Sequence, residues 1–291
     1  MWKNSIKTAL LMATLAGIMM FIGSLFGGSM GITYAFIMAI VMNGAMYFWS
    51  DSIVLKLYGA EQLDPLRYPD VVATVRELCL VMKLPVPRLW IISTPAANAF
   101  ATGRNPSHSS VAFTTGILSL LEPHELRGVI AHELSHILNR DILVSTIAAT
   151  FATAIGYMAN MLQHHLIWGS HRERNSNRTI GIFITAMCMP LIATVMRLSI
   201  SRSREYLADE QGAHACHDPL ALASALQKLH SSSKEASFAQ DNAMHQATAG
   251  LFIVHPFCST SIMELFSTHP PLKKRICALH DIHRTMHQWP R

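Results

Sequence analysis

The scarcest commodity in this chain is charge. Asp, Glu, Lys and Arg make up 14% of its 291 residues, against roughly 25% in an ordinary soluble domain. Mean hydropathy is positive, at +0.28. Such a chain either buries an unusually large core or spends part of its length in lipid, and the distribution decides between them. Residues 8–50 contain no Asp, Glu, Lys or Arg, which excludes a half-exposed soluble segment. Paired cysteines are also missing. Cys79, Cys188, Cys216, Cys258 and Cys277 form no C-x-x-C motif, and an odd, scattered set argues for reduced thiols facing a cytosol. There is no internal repeat. The net charge of +5 is modest, and no nucleic-acid partner is expected from it.

The uncharged stretch is too long for one membrane span, since about 20 residues suffice. It breaks at Gly27-Gly28-Ser29-Met30-Gly31, giving a helical hairpin with spans near Ile6–Phe26 and Ile32–Trp49. Tyr47, Phe48 and Trp49 then stand where an interfacial aromatic anchor belongs. Lys3 and Lys7 before an apolar stretch also suit a cleaved signal peptide, but the apolar region is too long for one and no A-x-A site follows. Two more apolar stretches lie mid-chain. Ile142–Leu162 is uncharged and long enough to span, whereas Thr179–Met196 is shorter and carries Pro190. They read as a second membrane hairpin, a re-entrant pair or two buried helices. The 163–178 loop between them is strongly basic, which is awkward for a loop facing a periplasm. Arg197, Arg202 and Arg204 after the fourth stretch fit the positive-inside rule and contact with anionic lipid, or equally a solvated basic face.

The remaining blocks hold most of the charge. A helix is expected near Tyr68–Met82, then strands at Arg88–Ser93, Asn98–Gly103 and Ser110–Ile117. A helix starts at Glu122-Pro123, with proline in its tolerated first turn, and runs to about Asn139. Further helices are expected over Leu198–Ala213, Pro219–His230 and from Pro270 onward. A polar loop at Ser231–Ala249 and a short apolar run at Leu251–Val254 separate the last two.

His132-Glu133-Leu134-Ser135-His136 matches H-E-x-x-H inside one of these helices. Side chains four apart on a helix lie one above the other, so two imidazoles can converge on one tetrahedral Zn²⁺. Glu133 is rotated by about 100° from His132, beside the metal, where it can take a proton from water. Three fixed positions also occur by chance, as two helix histidines with an unrelated carboxylate between them. The third ligand narrows the choice. A metzincin would need Gly at 139 and His at 142, where Asn139 and Ile142 stand. A downstream glutamate is the other common solution, and Glu205 is the best candidate. Asp209, four residues on, could receive the N–H of a ligand histidine; both carboxylates could otherwise be solvated partners of nearby arginines. His280, His283 and His287 share a helical face, read as solvated.

The sequence resembles the HtpX-type bacterial membrane metalloproteases, related to the CAAX prenyl proteases. The resemblance rests on Asn98-Ala99-Phe100-Ala101-Thr102-Gly103, Ala131–His136, Asn139-Arg140-Asp141, Ser201–Asp209, and Phe266–Pro271 with Arg275, in that order, and covers essentially the whole chain. It implies one Zn²⁺ per subunit on His132, His136 and Glu205, with Glu133 catalytic and Asp209 behind the ligands. Asn98, Ala99, Phe100 and Ala101 fall on the family's edge strand, where an extended substrate would pair. His269 and Arg275 match residues near the reacting carbonyl: His269 as a catalytic group, or as a structural residue orienting Pro270-Pro271, and Arg275 as a substrate contact.

These readings combine into a mainly α protein with a small β-sheet: a multi-pass membrane protein whose zincin-like catalytic domain is split by a helical hairpin. The expected units are an N-terminal hairpin at 1–51, the first catalytic block at 52–140, a second transmembrane or re-entrant hairpin at 141–200, and the second catalytic block at 201–291. One zinc ion cannot be held from both sides of a bilayer, so the chain between His136 and Glu205 crosses an even number of times. Lys3 and Lys7 then make the shared side cytoplasmic. The expected function is cleavage of misfolded or damaged membrane proteins at the cytosolic face of the bacterial inner membrane, in quality control and the stress response. Its partners are those unfolded or damaged substrates and the lipid bilayer. The alternatives are an intramembrane metalloprotease, a prenyl-protein-type processing protease and a non-catalytic membrane scaffold.

Overall fold

A computed structural model describes residues 2–148, 150, 202–236 and 270–288. The expected spans at Thr179–Met196 and most of Ile142–Leu162, the loop between them, the Leu251–Val254 run and His269 lie outside the described residues.

The first helix, α1 (Trp2–Leu57), is two helices merged across a break at Gly28. Gly28 has φ +54 and ψ −135, a conformation that glycine reaches without a Cβ penalty, and it lies within the expected glycine cluster. The halves fold back on each other. Asn43 Nδ2 donates to the Met12 carbonyl at 3.3 Å, 31 residues away, and the backbones of Gly23 and Gly31 are in contact, with no room for a Cβ. The second half, Gly27–Leu57, is long and apolar enough to cross a membrane, while the first contains the shorter apolar helix Thr8–Phe21. Ile37, Met38, Ile40, Val41, Phe48 and Trp49 all point outward, each more than half exposed. A water-facing helix would hold polar residues there.

Four strands form one mixed sheet in the order β1-β2-β4-β3. They are β1 (Glu61–Gln62), β2 (Arg88–Ile92), β3 (Ala99–Asn105) and β4 (His108–Thr114). β2 and β4 are parallel, the other pairs antiparallel, and β3 occupies an edge. The expected third strand was to reach Ile117; it ends at Thr114. The reason is local. The Thr114 hydroxyl accepts from the Ile117 amide at 3.1 Å and so caps a short helix, α3 (Thr115–Leu120). The two-residue β1 offers no alternation to read and was not expected.

Helix α2 (Pro69–Val81) buries Val71, Val72, Val75, Leu78 and Cys79 at helical spacing. α4 (Pro123–Leu138) begins with a reciprocal capping box between Glu122 and Glu125 and is the central element. α5 (Arg202–Cys216) and α6 (Pro219–Ala236) pack on it, and α7 (Leu272–Gln288) packs on those two. α6 carries six residues of the expected polar loop, because Ser231–Ala236 contains neither glycine nor proline to stop the helix. The main core joins α2, one sheet face, α4, α5, α6 and Leu279 of α7. The other sheet face packs Ile92, Phe100 and Ala112 against Val54 and Leu55 at the end of α1. The described segments on either side of residues 151–201 thus share one core, and the sheet is docked directly on the apolar helix.

Candidate metal centre

α4 presents His132 and His136 one turn apart, with Val129, Ile130, Leu134 and Ile137 fully buried on its other faces. α5 brings Glu205 opposite them. The approach depends on Gly212, where a Cβ would lie 2.9 Å from the His132 amide nitrogen, closer than packing tolerates. Only a bare backbone lets α5 come this near to the histidines. The result is a three-residue cluster whose donor atoms all lie within 4.8 Å of one another. Nε2 of His132 and Nε2 of His136 are 3.2 Å apart. Glu205 Oε2 is 3.8 Å from the first, and its Oε1 is 3.7 Å from the second. No second group of His, Cys, Asp or Glu gathers in this way among the described residues.

These distances suit a cation. A tetrahedral ion with ligands at about 2.0–2.1 Å separates them by roughly 3.3 Å. The protonation pattern points the same way. His132 Nδ1 lies 3.0 Å from Asp209 Oδ1, and His136 Nδ1 lies 3.2 Å from Asp141 Oδ2. His136 Nδ1 is hydrogen-bonded to Asp141, His132 Nδ1 lies beside Asp209 without an aligned hydrogen bond, and the two Nε2 atoms face each other across 3.2 Å. Two such atoms cannot face each other as lone pairs, so the arrangement calls for a cation between them, a proton or a metal ion. Burial lowers the proton affinity of His136, but Asp141, Glu205 and Glu133 outweigh it and leave the ring raised to about 10. The site's field therefore favours positive charge at its centre. For His132 burial prevails over Asp209, and its pKa is lowered.

Behind His132 the charges continue inward. Asp209 is held by Arg275 in a two-point contact, Nε to Oδ2 at 2.7 Å and Nη2 to Oδ1 at 2.6 Å. Both side chains are buried, at 1% and 2% exposure. Burial pushes the Asp209 carboxyl up, but Arg275 prevails and holds it below its usual range. The structure thus places Arg275 behind the ligands, 3.7 Å from Glu205 as well. Asp141 was quoted in the sequence only as part of a motif, and its contact with His136 was not foreseen. The available signal was a carboxylate five residues after a helix histidine, where Arg140 takes φ +54 and turns the chain back.

Glu133 does not join the ligand triangle. Its Oε2 accepts from the Ala101 amide at 2.8 Å, tying α4 to the edge strand. Burial raises its pKa to about 7, against the lowering pull of His136. Asn98 pairs with Thr114 across the ladder, so the alternate residues Ala99 and Ala101 direct their backbone groups away from β4, where Glu133 takes the Ala101 amide. Asn98, Ala99, Phe100 and Ala101 are buried as whole residues, backbone included, so this stretch of the strand is covered in the structure. Phe100 packs on Tyr58, with ring centroids 5.6 Å apart. Arg104, further along β3, lies over the Phe48 ring at 5.4 Å. The edge beside Glu133 is therefore in contact with the aromatic end of α1.

Residues 65–283 match peptidase family M48. The chain is 44% identical to a protease HtpX homolog of Syntrophobacter fumaroxidans, across 95% of this chain and 98% of that one. It is 45% identical to a protease HtpX homolog of Thermodesulfovibrio yellowstonii, across 97% and 99%. A third, from Paraburkholderia phytofirmans, is 44% identical across 97% and 98%. Among solved structures, the crystal structure of S. mikatae Ste24p aligns with a TM-score of 0.48 at 16% identity, covering 95% of this chain and 65% of that one.

Proposed function

The chain belongs to peptidase family M48, a metallopeptidase hydrolysing peptide bonds, and from that premise we propose that it is a zinc endopeptidase of the bacterial inner membrane. Its proposed substrates are misfolded or damaged membrane proteins, cut at the cytosolic face. The observation that carries the reading is the pair of Nε2 atoms 3.2 Å apart, closed by Glu205 and backed by two aspartates. His132, His136 and Glu205 would hold the zinc. Bound there, the ion would polarise a scissile carbonyl and acidify water.

The chain's own residues supply the rest. Glu133 takes the proton of the attacking water and delivers it to the leaving nitrogen; a buried carboxyl raised to about 7 can do both near neutrality. An extended peptide laid along the Ala99–Ala101 edge of β3 would have its scissile bond beside Glu133; with the Ala101 amide held by Glu133, pairing falls to the Ala99 backbone and the Ala101 carbonyl once this buried edge is uncovered. Recognition by backbone suits a peptidase acting on many unfolded sequences. Asp209 orients His132, and Arg275 acts through Asp209 as a positioning residue. His269 is proposed as a further stabiliser of the developing oxyanion.

The seat of the sheet on the end of α1 favours cleavage close to the bilayer. The H-E-x-x-H helix is enclosed by α2, α5 and α6, and Arg127 near its start pairs with exposed Glu77 at 2.7 Å. Both features disfavour an intramembrane site. With both catalytic blocks in one core, we propose the cytosolic side for both: protease added to inside-out vesicles should degrade the zinc domain, and intact spheroplasts should protect it. The reverse pattern would refute the orientation. Glu133→Gln should keep its metal while cleavage of an unfolded model substrate falls about 10²–10⁴-fold. Normal turnover by that variant would refute the assignment of the base.

A further inference from the structure

Each histidine of the centre has an aspartate about 3 Å from its Nδ1, and the two aspartates differ in what stands behind them. Asp209, facing His132, has both oxygens bound by Arg275. Asp141, facing His136, has one oxygen on the imidazole, while its buried Oδ1 has no hydrogen-bond partner. A buried carboxylate oxygen left in that condition is costly. A group of opposite charge is close by. Arg204 stands on α5 immediately before Glu205, and all three of its guanidinium nitrogens are buried without a hydrogen-bond partner. Asp141 and Glu205 are the charges that act on it. A guanidinium offers five donors and cannot shed its proton in a protein. Two opposite unsatisfied charges are therefore buried near the ligand cluster, acting on each other through the field without a direct ion pair.

We propose that Arg204 is the counterpart of Arg275: a positioning residue that fixes Asp141, and through it His136, in the orientation required for metal binding. The inference rests on the metal-centre reading above. It gives each ligand histidine the same chain of aspartate and then arginine, one assembled from α5 and α7, the other from the turn after α4 and from α5. Because Arg204 adjoins Glu205 in sequence, one turn of α5 delivers both a ligand and the charge that steadies a second ligand. Metal-ligating histidines are commonly oriented by an acceptor on the other ring nitrogen, and losing such outer partners weakens metal binding by about 10–100-fold.

The test is zinc affinity of the full-length protein in detergent, measured by competition with a chromophoric chelator. Arg204→Gln should raise the zinc dissociation constant about tenfold or more, and Arg204→Lys, which keeps the charge, should restore it to within about threefold. Arg202→Gln, an exposed arginine two residues earlier, should match the wild type. If Arg204 acts through Asp141, the double variant Asp141→Asn/Arg204→Gln should bind zinc no more weakly than Asp141→Asn alone. Unchanged affinity in Arg204→Gln, or losses that multiply in the double variant, would overturn the proposal. Should Arg204→Gln fail to fold, Arg204→Lys decides: near-native affinity supports the role, and a tenfold loss overturns it. A wild type that binds no zinc at all would instead refute the metal centre itself.

Discussion

The N-terminal hairpin and the metal centre invert each other. α1 turns large apolar side chains outward: Phe21, Tyr34, Ile40 and Val41 are all more than half exposed. The centre does the opposite and encloses charge. Glu133, Glu205, Asp209, Asp141 and Arg275 are each no more than 5% exposed. Neither region suits the surroundings of an ordinary soluble protein, where long apolar faces are covered and charges are solvated. Each makes sense in its own medium. The hairpin's outward face has the length and apolar character that lipid would accept, and the centre's charges are arranged so that they could hold a cation.

The comparison breaks most visibly where the buried charges are unbalanced. Arg275→Met leaves Asp209 ionised in the core with only His132 beside it, and stability should fall by about 3–5 kcal/mol, read as a lowered denaturant midpoint in detergent by circular dichroism. Adding Asp209→Leu should recover much of that stability, since an apolar pair of similar volume is often tolerated in place of ions. Zinc affinity should stay weak, because His132 has then lost its acceptor. A full recovery of both would mean that the Arg275–Asp209 pair serves packing alone. A smaller effect sharpens the other side. Ile37→Lys sets a charge on an outward position of α1, and membrane insertion should become less favourable by about 2.5–3.5 kcal/mol, measured as the integrated fraction after translation with membranes. The same change at Leu80, which is 81% exposed on α2, should alter stability by no more than about 0.5 kcal/mol. Equal effects at the two positions would mean that α1 and α2 share one solvent.

What could be read in the sequence follows from how local each signal is. The absence of charge over residues 8–50 and the glycines at the turn describe a hairpin without reference to the rest of the chain. H-E-x-x-H is likewise a property of one helix. Glu205 and Asp209 were accessible because both partners in the argument sit one turn apart. Beyond that range the sequence fell silent. The direction of Arg275 depends on α7 meeting α5, so a residue expected at the substrate is found buried behind a ligand. The contact of Asp141 with His136 depends on a single residue of positive φ. The end of β4 at Thr114 depends on a side chain choosing an amide of α3 over continued pairing. The bond between Glu133 and the Ala101 amide crosses from helix to sheet, and no periodicity reports it.

The most direct test of the account is the metal content of the purified full-length protein and its Glu205→Ala variant, measured by elemental analysis after dialysis. The arrangement of His132, His136 and Glu205 requires about one zinc per chain in the wild type, and a variant that folds but retains little. A folded Glu205→Ala variant holding as much zinc as the wild type, or a wild type holding none, would contradict it.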